Sequence, residues 1–400
     1  MELTRVIHPI GQGGFYTETF KDDNDKEVFN VVYDCGSETG KPYDINSYLK
    51  KYFPNSTKHP KKQIDAVFIS HLHNDHINGL ECLLGNTNVK YLFLPQLTEE
   101  IILESLLYNA YLNKGSWNST NNLILDLYGF GNDENLKNKE TRIIKIKIDS
   151  ENNDNSESEV TDFDSLKQES YNSGTVFMYG RCSWLYIPIN SQPNIPKKNN
   201  VCFYDFFKQE VNNGTDFSLT EIKGIFERNK QKCIDAYTNY FIDAYTNYFS
   251  GHNSYSMTLF SGTNEDEPYI FDMCRKRDKC RCCHHCKDFA FHNHFPANFL
   301  YTGDFEPNKT NLQVLKDTLS NRYLWDTISG IQVPHHGSRD NYNAQLYVHP
   351  RVGYISVGSK NVHKHPNVDT LVNIQKERCW PIVVSEDPSS MQVEVYHFYY

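Results

Sequence analysis

Apolar positions along this chain mostly run in short clusters or alternate, and helical spacing is confined to a few stretches. Ile64 to Ile69 is apolar but for Asp65 and β-prone, which predicts a buried strand. Further strands are predicted at Tyr91–Leu94, Arg142–Ile148, Val176–Met178, Ser183–Ile189, Asn298–Tyr301, Ile331–Val333 and Val352–Val357. Ser254–Phe260 and Tyr269–Asp272 read as a pair, and Met391–Tyr399 alternates like a closing strand. Val6–Ile10 and Val28–Tyr33 flank the turn Gly11-Gln12-Gly13-Gly14. Phe15-Tyr16-Thr17 continues that turn as a strand, so a tight hairpin is expected and a phosphate-binding loop opening a helix is not. Helices are predicted at residues 44–53, with Ile45, Tyr48, Leu49 and Tyr52 on one face, and from Ile77 to Leu84. Glu99–Leu112 reads as an amphipathic helix, and Leu312–Leu319 and Thr370–Glu377 as two more. The acidic, Asn/Ser-rich stretch Asp149–Glu159 and Pro193–Asn200 read as solvated loops. The octapeptide Ile-Asp-Ala-Tyr-Thr-Asn-Tyr-Phe occurs at 234–241 and again at 242–249, a local duplication in a helical, aromatic region. Predicted strands repeatedly end in polar, ligand-type residues, as in an α/β layered fold with its site along one sheet edge.

The densest such stretch is Ser70-His71-Leu72-His73-Asn74-Asp75-His76, where the predicted strand breaks into a helix. Three histidines and an aspartate in six residues make a compact turn with four candidate ligands for zinc or its first-row neighbours. More candidates stand at later strand ends: Asp304 after Thr302-Gly303, His335 and His336 after Pro334, and His252 ahead of Asn253-Ser254.

Composition narrows the partners. A chain of 400 residues that is 38% hydrophobic can bury a sizeable core. Net charge is −10, so any polyanion would have to be held by local patches or by metal ions. Met1-Glu2-Leu3-Thr4-Arg5 lacks a basic head and an apolar signal core, and no run of about 20 apolar residues occurs. Eleven cysteines, an odd count, fit thiols and metal in a reducing cytoplasm better than a disulfide framework.

The ordered set Ile10-Gly11-Gln12-Gly13, Tyr33-Asp34-Cys35-Gly36, Ser70 to His76, Asn253-Ser254-Tyr255-Ser256, Tyr301-Thr302-Gly303-Asp304, Pro334-His335-His336-Gly337-Ser338 and Ser356-Val357-Gly358 through His365-Pro366 resembles the metallo-β-lactamase superfamily. Within it, the set resembles the branch containing the hydrolase domain of the bacterial competence (DNA-uptake) channel protein. The matched motifs cover 6–90 and 250–370. The resemblance implies a four-layer αβ/βα sandwich spanning 1–400 as one domain, with an insertion at about 115–250. It also implies two divalent metals, zinc first and manganese as the alternative, with a metal-bound hydroxide as nucleophile. His71 and His73 would hold one metal, and Asp75, His76 and His336 the other. Asp304 would bridge them, and His252 is a further candidate ligand. Asp75, His335 and His365 are the candidate catalytic residues. Asp34, Ser338 and Asn361 are assigned behind the ligands or toward substrate, and Asp34 is read as tying loops together. Gly14 stands where the branch often carries aspartate, which removes a polar contact near the site.

Cys274, Cys280, Cys282, Cys283 and Cys286 form a Cys/His-rich insertion at 274–294, a candidate structural zinc site with interleaved Arg and Lys. Cys35 reads as a small core residue. The expected function is a cytoplasmic phosphodiester hydrolase with nucleic acid as the favoured substrate. Two alternatives stand beside it. One is an esterase for a small phosphodiester such as a cyclic nucleotide. The other is a partner-activated sensor or effector subunit of a bacterial defence-type system that uses the insertion as its interface.

Overall fold

The computed structural model describes residues 1–39, 43–131, 140–148, 160–190, 197–198, 200–241, 255–263, 270–274, 297–361 and 364–398. Its strands are numbered in chain order. The first sheet runs β12 (Ile270–Cys274), β17 (Gln392–His397), β1 (Glu2–Ile7), β2 (Gly13–Lys21), β3 (Glu27–Ser37), β4 (Lys62–Phe68), β5 (Thr87–Pro95), β6 (Arg142–Ile146), β8 (Ser170–Tyr171). The second runs β16 (Trp380–Val384), β15 (Val352–Ser356), β14 (Gly330–Gln332), β13 (Phe299–Tyr301), β11 (Thr258–Gly262), β10 (Trp184–Ile189), β9 (Val176–Tyr179), β7 (Val160–Asp162). Both sheets are mixed. β1 and β2 form the expected antiparallel hairpin. β3 to β6 run parallel to one another, as do β13 to β16.

Burial follows this layering. One core holds Tyr16, Tyr33, Phe68 and Phe93 of the first sheet against Tyr186, Phe299, Tyr301 and Tyr354 of the second. A second core joins Val32, Val67 and Leu92 of the first sheet to the helices Ile45–Tyr52, Leu80–Asn86, Glu99–Leu112, Ser119–Tyr128, Phe203–Asn212 and Ile222–Phe241. A third joins Ile187, Phe260, Leu300 and Ile331 to the helices Lys309–Ser320 and Val368–Lys376. Each sheet therefore buries both faces of its central strands, which read as apolar runs, while β17 alternates buried and half-buried positions.

Several expectations change. Ser254–Phe260 and Tyr269–Asp272 do not pair. β11 lies between β10 and β13 in the second sheet, and β12 lies on β17 in the first. Glu99–Leu112 is a helix with the expected bounds, but it is buried on nearly every side. The helices Phe203–Asn212 and Ile222–Phe241 cover its outer face, so no solvated stripe remains. Of the stretch 115–250 expected as an insertion, residues 142–146 and 170–171 extend the first sheet, and 160–162, 176–179 and 184–189 extend the second. The first copy of the octapeptide ends the helix Ile222–Phe241, and the second copy lies outside the described residues.

Just past β1, the imidazole of His8 is fully buried and stacks on Phe15 at 4.1 Å. Its Nδ1 meets Tyr48 Oη and its Nε2 meets Thr17 Oγ1, each at 2.9 Å. Burial, with Lys62 adding to it, pushes the His8 pKa down to about 3. Because the folded value lies below the ordinary 6.5, the unfolded chain takes up the proton first as pH falls. The stability contributed by neutral His8 is complete above pH 6.5 and lost toward pH 3. Urea unfolding at pH 7.5 and pH 5.0 should show wild type losing about 2 kcal/mol more than His8→Gln. Equal losses would remove His8 from this role.

Candidate metal centre

Parallel strands end on the same side of a sheet, which brings distant stretches of chain together. β4 leads into Ile69-Ser70-His71-Leu72-His73 and then the short helix Asn74–Ile77. Beside it, β3 carries Asp34 in a left-handed conformation (φ +54°). In the second sheet β13 runs into Thr302-Gly303-Asp304, and Gln332 Oε1 of β14 accepts the backbone N–H groups of Thr302 and Gly303, both at 3.0 Å. β14 is followed by His335, His336 and Gly337, all at positive φ. β15 ends at Ser356, whose carbonyl meets His336 Nδ1 at 2.7 Å.

The ends converge on one cluster. Ligand atoms of His71, His73 and Asp304 lie within 4.8 Å of one another, as do those of His71, Asp75 and His76, and those of His76, Asp304 and His336. Asp304 Oδ1 is 3.2 Å from His76 Nε2 and 3.8 Å from His336 Nε2, and its Oδ2 is 3.7 Å from His71 Nε2. Asp75 Oδ2 is 3.1 Å from His336 Nε2. His71 Nε2, His76 Nε2 and Asp304 Oδ1 are buried yet carry no hydrogen bond among the described residues. Buried polar atoms rarely stay unsatisfied, and imidazole nitrogens facing carboxylates across this spacing suit a divalent cation. The donors present therefore fit metal.

Electrostatics agree. Burial, aided by His76 and His73, holds His71 well below the ordinary imidazole range, which keeps a lone pair available. Burial also opposes charge on Asp75, but His76 and the His336 hydrogen bond hold its carboxyl below the usual range. Asp304 is buried too, and His335 and His76 overcome that burial to hold it well below the usual range. His76 is held high despite burial because Asp75, Asp304 and Asp34 surround it. The pocket thus favours positive charge.

Behind this cluster, Asp34 accepts the Ser70 N–H at 2.7 Å and the Ser70 hydroxyl at 2.8 Å, and meets His76 Nδ1 at 2.8 Å. Because the Ser70 hydroxyl donates to Asp34, its oxygen accepts from His71 Nδ1 at 2.9 Å. One carboxylate therefore orients two imidazoles with Nε2 inward. This arrangement needs two glycines. A Cβ on Gly14 would fall 2.8 Å from His76 Nδ1 and 2.9 Å from Asp34 Oδ2. Where a lost polar contact was expected, the bare backbone instead leaves room for the Asp34–His76 pair. A Cβ on Gly36 would fall 2.6 Å from the backbone of Asp75 and His76.

The adjacent histidines differ. His336 is buried, while the His335 side chain is 31% exposed. His335 Nδ1 meets Asn341 Oδ1 at 2.9 Å, and Asn341 Nδ2 donates to the carbonyls of Asp304 and Phe305. The His365 ring lies 5.5 Å from that of His335. Asn361 donates to the carbonyls of Gly358 and His365 and accepts the His365 N–H, so its side chain closes that loop. Ser338 is buried, and its oxygens accept from Asp340 N and Thr370 Oγ1, each at 3.4 Å. Cys35 is a buried thiol whose pKa burial pushes well above its ordinary value.

His252 and the cysteines Cys280, Cys282, Cys283 and Cys286 lie outside the described residues, and Cys274 is described only as the end of β12. Residue-by-residue reading missed Tyr255, Glu104, Tyr108, Asn109 and Asn341. Tyr255 and Ser256 stood in a quoted motif without a role. Ser256 Oγ accepts the Asp304 N–H at 3.1 Å. From the helix Glu99–Leu112, Asn109 accepts the Asn74 N–H and donates to the Leu72 carbonyl, both at 2.9 Å.

Residues 24–156, about a third of the chain, match the family model of the anti-Pycsar protein Apyc1. No curated protein matches the chain. The family match overturns the resemblance to the competence branch of the metallo-β-lactamase superfamily. The turn Ser70 to His76, which carried the match to the superfamily signature, lies inside the matched stretch. The family model that matches there is the anti-Pycsar one.

Proposed function

We propose that this chain is a metal-dependent phosphodiesterase that opens cyclic nucleotides and so acts against a defence signal of that kind. One observation carries the chemistry: His71, His73, Asp75, His76, Asp304 and His336 converge with buried, unsatisfied donor atoms among them. The match to the anti-Pycsar family, an anti-defence family that degrades cyclic nucleotides, supports the substrate class. Nucleic acid, the substrate favoured from sequence, gives way to the small cyclic diester.

We read residues 1–400 as one domain, a four-layer αβ/βα sandwich with the site at one edge. Two divalent ions, zinc or manganese, suit the donors. His71, His73 and Asp304 would hold one, and Asp75, His76 and His336 the other, with Asp304 shared. When bound, such ions supply Lewis-acid polarisation of phosphate and activation of water. Asp34 holds two ligand rings in one tautomer. Asn341 accepts from His335 Nδ1, which turns His335 Nε2 toward Asp304 at 3.9 Å. From there the imidazolium form of His335 can protonate the departing ribose oxygen as the ester P–O bond breaks. His365 flanks that ring. Among the described residues no helix is long and apolar enough to cross a membrane. Among the described residues Cys35, Cys82, Cys182, Cys202, Cys233 and Cys379 are free thiols.

The test is to reload chelator-treated protein with Zn²⁺ or Mn²⁺ and supply 3′,5′-cyclic mononucleotides beside linear and circular DNA and RNA. Ring-opened monophosphate with intact polymers is expected. Polymer cleavage with untouched cyclic nucleotide would overturn the proposal and restore the nuclease.

A further inference from the structure

Three of the four ligand histidines are held through Nδ1: His71 by Ser70, His76 by Asp34 and His336 by the Ser356 carbonyl. His73 is held the other way round. Its Nε2 lies 3.0 Å from the phenol oxygen of Tyr255. That phenol is fully buried and donates to Glu104 Oε2 at 2.7 Å. The Ser105 hydroxyl, 3.0 Å from the phenol, donates to the Ile101 carbonyl at 2.9 Å. A phenol has one proton, and the carboxylate takes it. The phenol oxygen must therefore accept from His73 Nε2–H, and a neutral His73 then carries its lone pair on Nδ1.

We propose that Tyr255 and Glu104 are positioning residues that make His73 bind metal through Nδ1, and that they set the affinity of the ion shared with His71 and Asp304. The proposal rests on the metal-dependent reading above. It parallels the Asp34 arrangement. There a buried carboxylate orients His71 through the Ser70 hydroxyl, and here Glu104 orients His73 through the Tyr255 hydroxyl. Placement supports it. The Met257 N–H bonds the Ser70 carbonyl at 2.8 Å, which lays the Tyr255 segment along the ligand turn. Glu104 is 1% exposed, on the same helix that grips Leu72 and Asn74 through Asn109. The ring of Tyr108, one helical turn further on, lies 4.3 Å from that of His73. A buried carboxylate that ends such a chain raises ligand basicity and fixes the ring.

The experiment titrates Co²⁺ into chelator-stripped protein and follows heat and ligand-field absorption, which report each ion separately from catalysis. Wild type should bind two ions. Tyr255→Phe should bind one of them about 10- to 100-fold more weakly, leave the other unchanged and alter the absorption of the weakened site. Glu104→Gln, which keeps an acceptor for the phenol, should weaken the same ion by less. Thermal melting of the stripped variants checks that the fold is retained. Unchanged binding of both ions by Tyr255→Phe, or equal weakening of both, overturns the relay. A wild type that binds no Co²⁺ overturns the metal-dependent reading itself.

Discussion

Asp304→Ala is expected to remove hydrolysis and metal together. The Asp304 carboxylate faces both halves of the cluster: one oxygen looks toward His76 and His336, the other toward His71 and His335. Its side chain is nearly buried, and its charge is sustained by the imidazoles around it. Alanine leaves Asp75 beside His76 and His336 but removes the carboxylate between those rings and His71, so the pocket's hold on a cation falls. Activity should fall by about 10³-fold or more, the several kcal/mol that a polarising ion supplies to phosphoryl chemistry. Bound metal, read by elemental analysis, should fall in parallel. Asp304→Asn keeps the shape but not the charge, and should lose metal affinity as well. Activity within tenfold of wild type in either variant would exclude Asp304 from the site.

The largest effect on stability is expected far from the candidate metal centre. Arg5 of β1 is fully buried between the sheets. Its Nε donates to Glu18 and its Nη1 to Glu394, each at 2.8 Å, and its Nη2 donates to the Ala297 carbonyl at 2.9 Å. Glu18 also accepts from Tyr186, Tyr301 and Ser261, and Glu394 from Tyr354 and Tyr396. These partners come from both sheets, so the network is satisfied only when the sheets are stacked. Arg5→Met removes the cation and leaves two buried carboxylates facing each other. The cost should be about 3–5 kcal/mol in urea unfolding. Adding Glu18→Gln and Glu394→Gln should recover part of it, because the carboxylate charges are then gone. A loss below about 1 kcal/mol for Arg5→Met would mean that the network is not coupled to folding.

These two sites differ in how plainly the sequence announces them. The turn from His71 to His76 is legible because four candidate ligands are packed into six residues after an apolar strand. Asp304 and His336 are legible because each follows a short apolar run and a turn residue. Tyr255 and Glu104 are not. Glu104 sits at a helical position that reads as a solvated face, and only the helices packed outside it turn that face into interior. Arg5 reads as an ordinary charged residue, and its partners are scattered from Glu18 to Glu394. The pairing of β11 and β12 was misread for a related reason. Neighbouring strands in sequence look like a hairpin, whereas here each has a better-matched partner in a different sheet. The family reading rested on candidate ligand residues together with short turn motifs, and both draw on a small set of residue types whatever the ancestry.

The position of β17 has a consequence for the order of folding. This strand enters between β1 and β12, and it brings Glu394 to an arginine 389 positions earlier. Every proposed ligand precedes it, with His336 the last. A chain emerging from synthesis can thus hold a complete ligand set while β1 still has an open edge and Arg5 only one of its two carboxylates. Contacts this remote in sequence form late and slowly, and an unpaired strand edge invites association with other chains in the meantime. An ion captured early at the ligand turn would tie the two sheets to each other during that interval, so the metal would serve assembly before it serves chemistry.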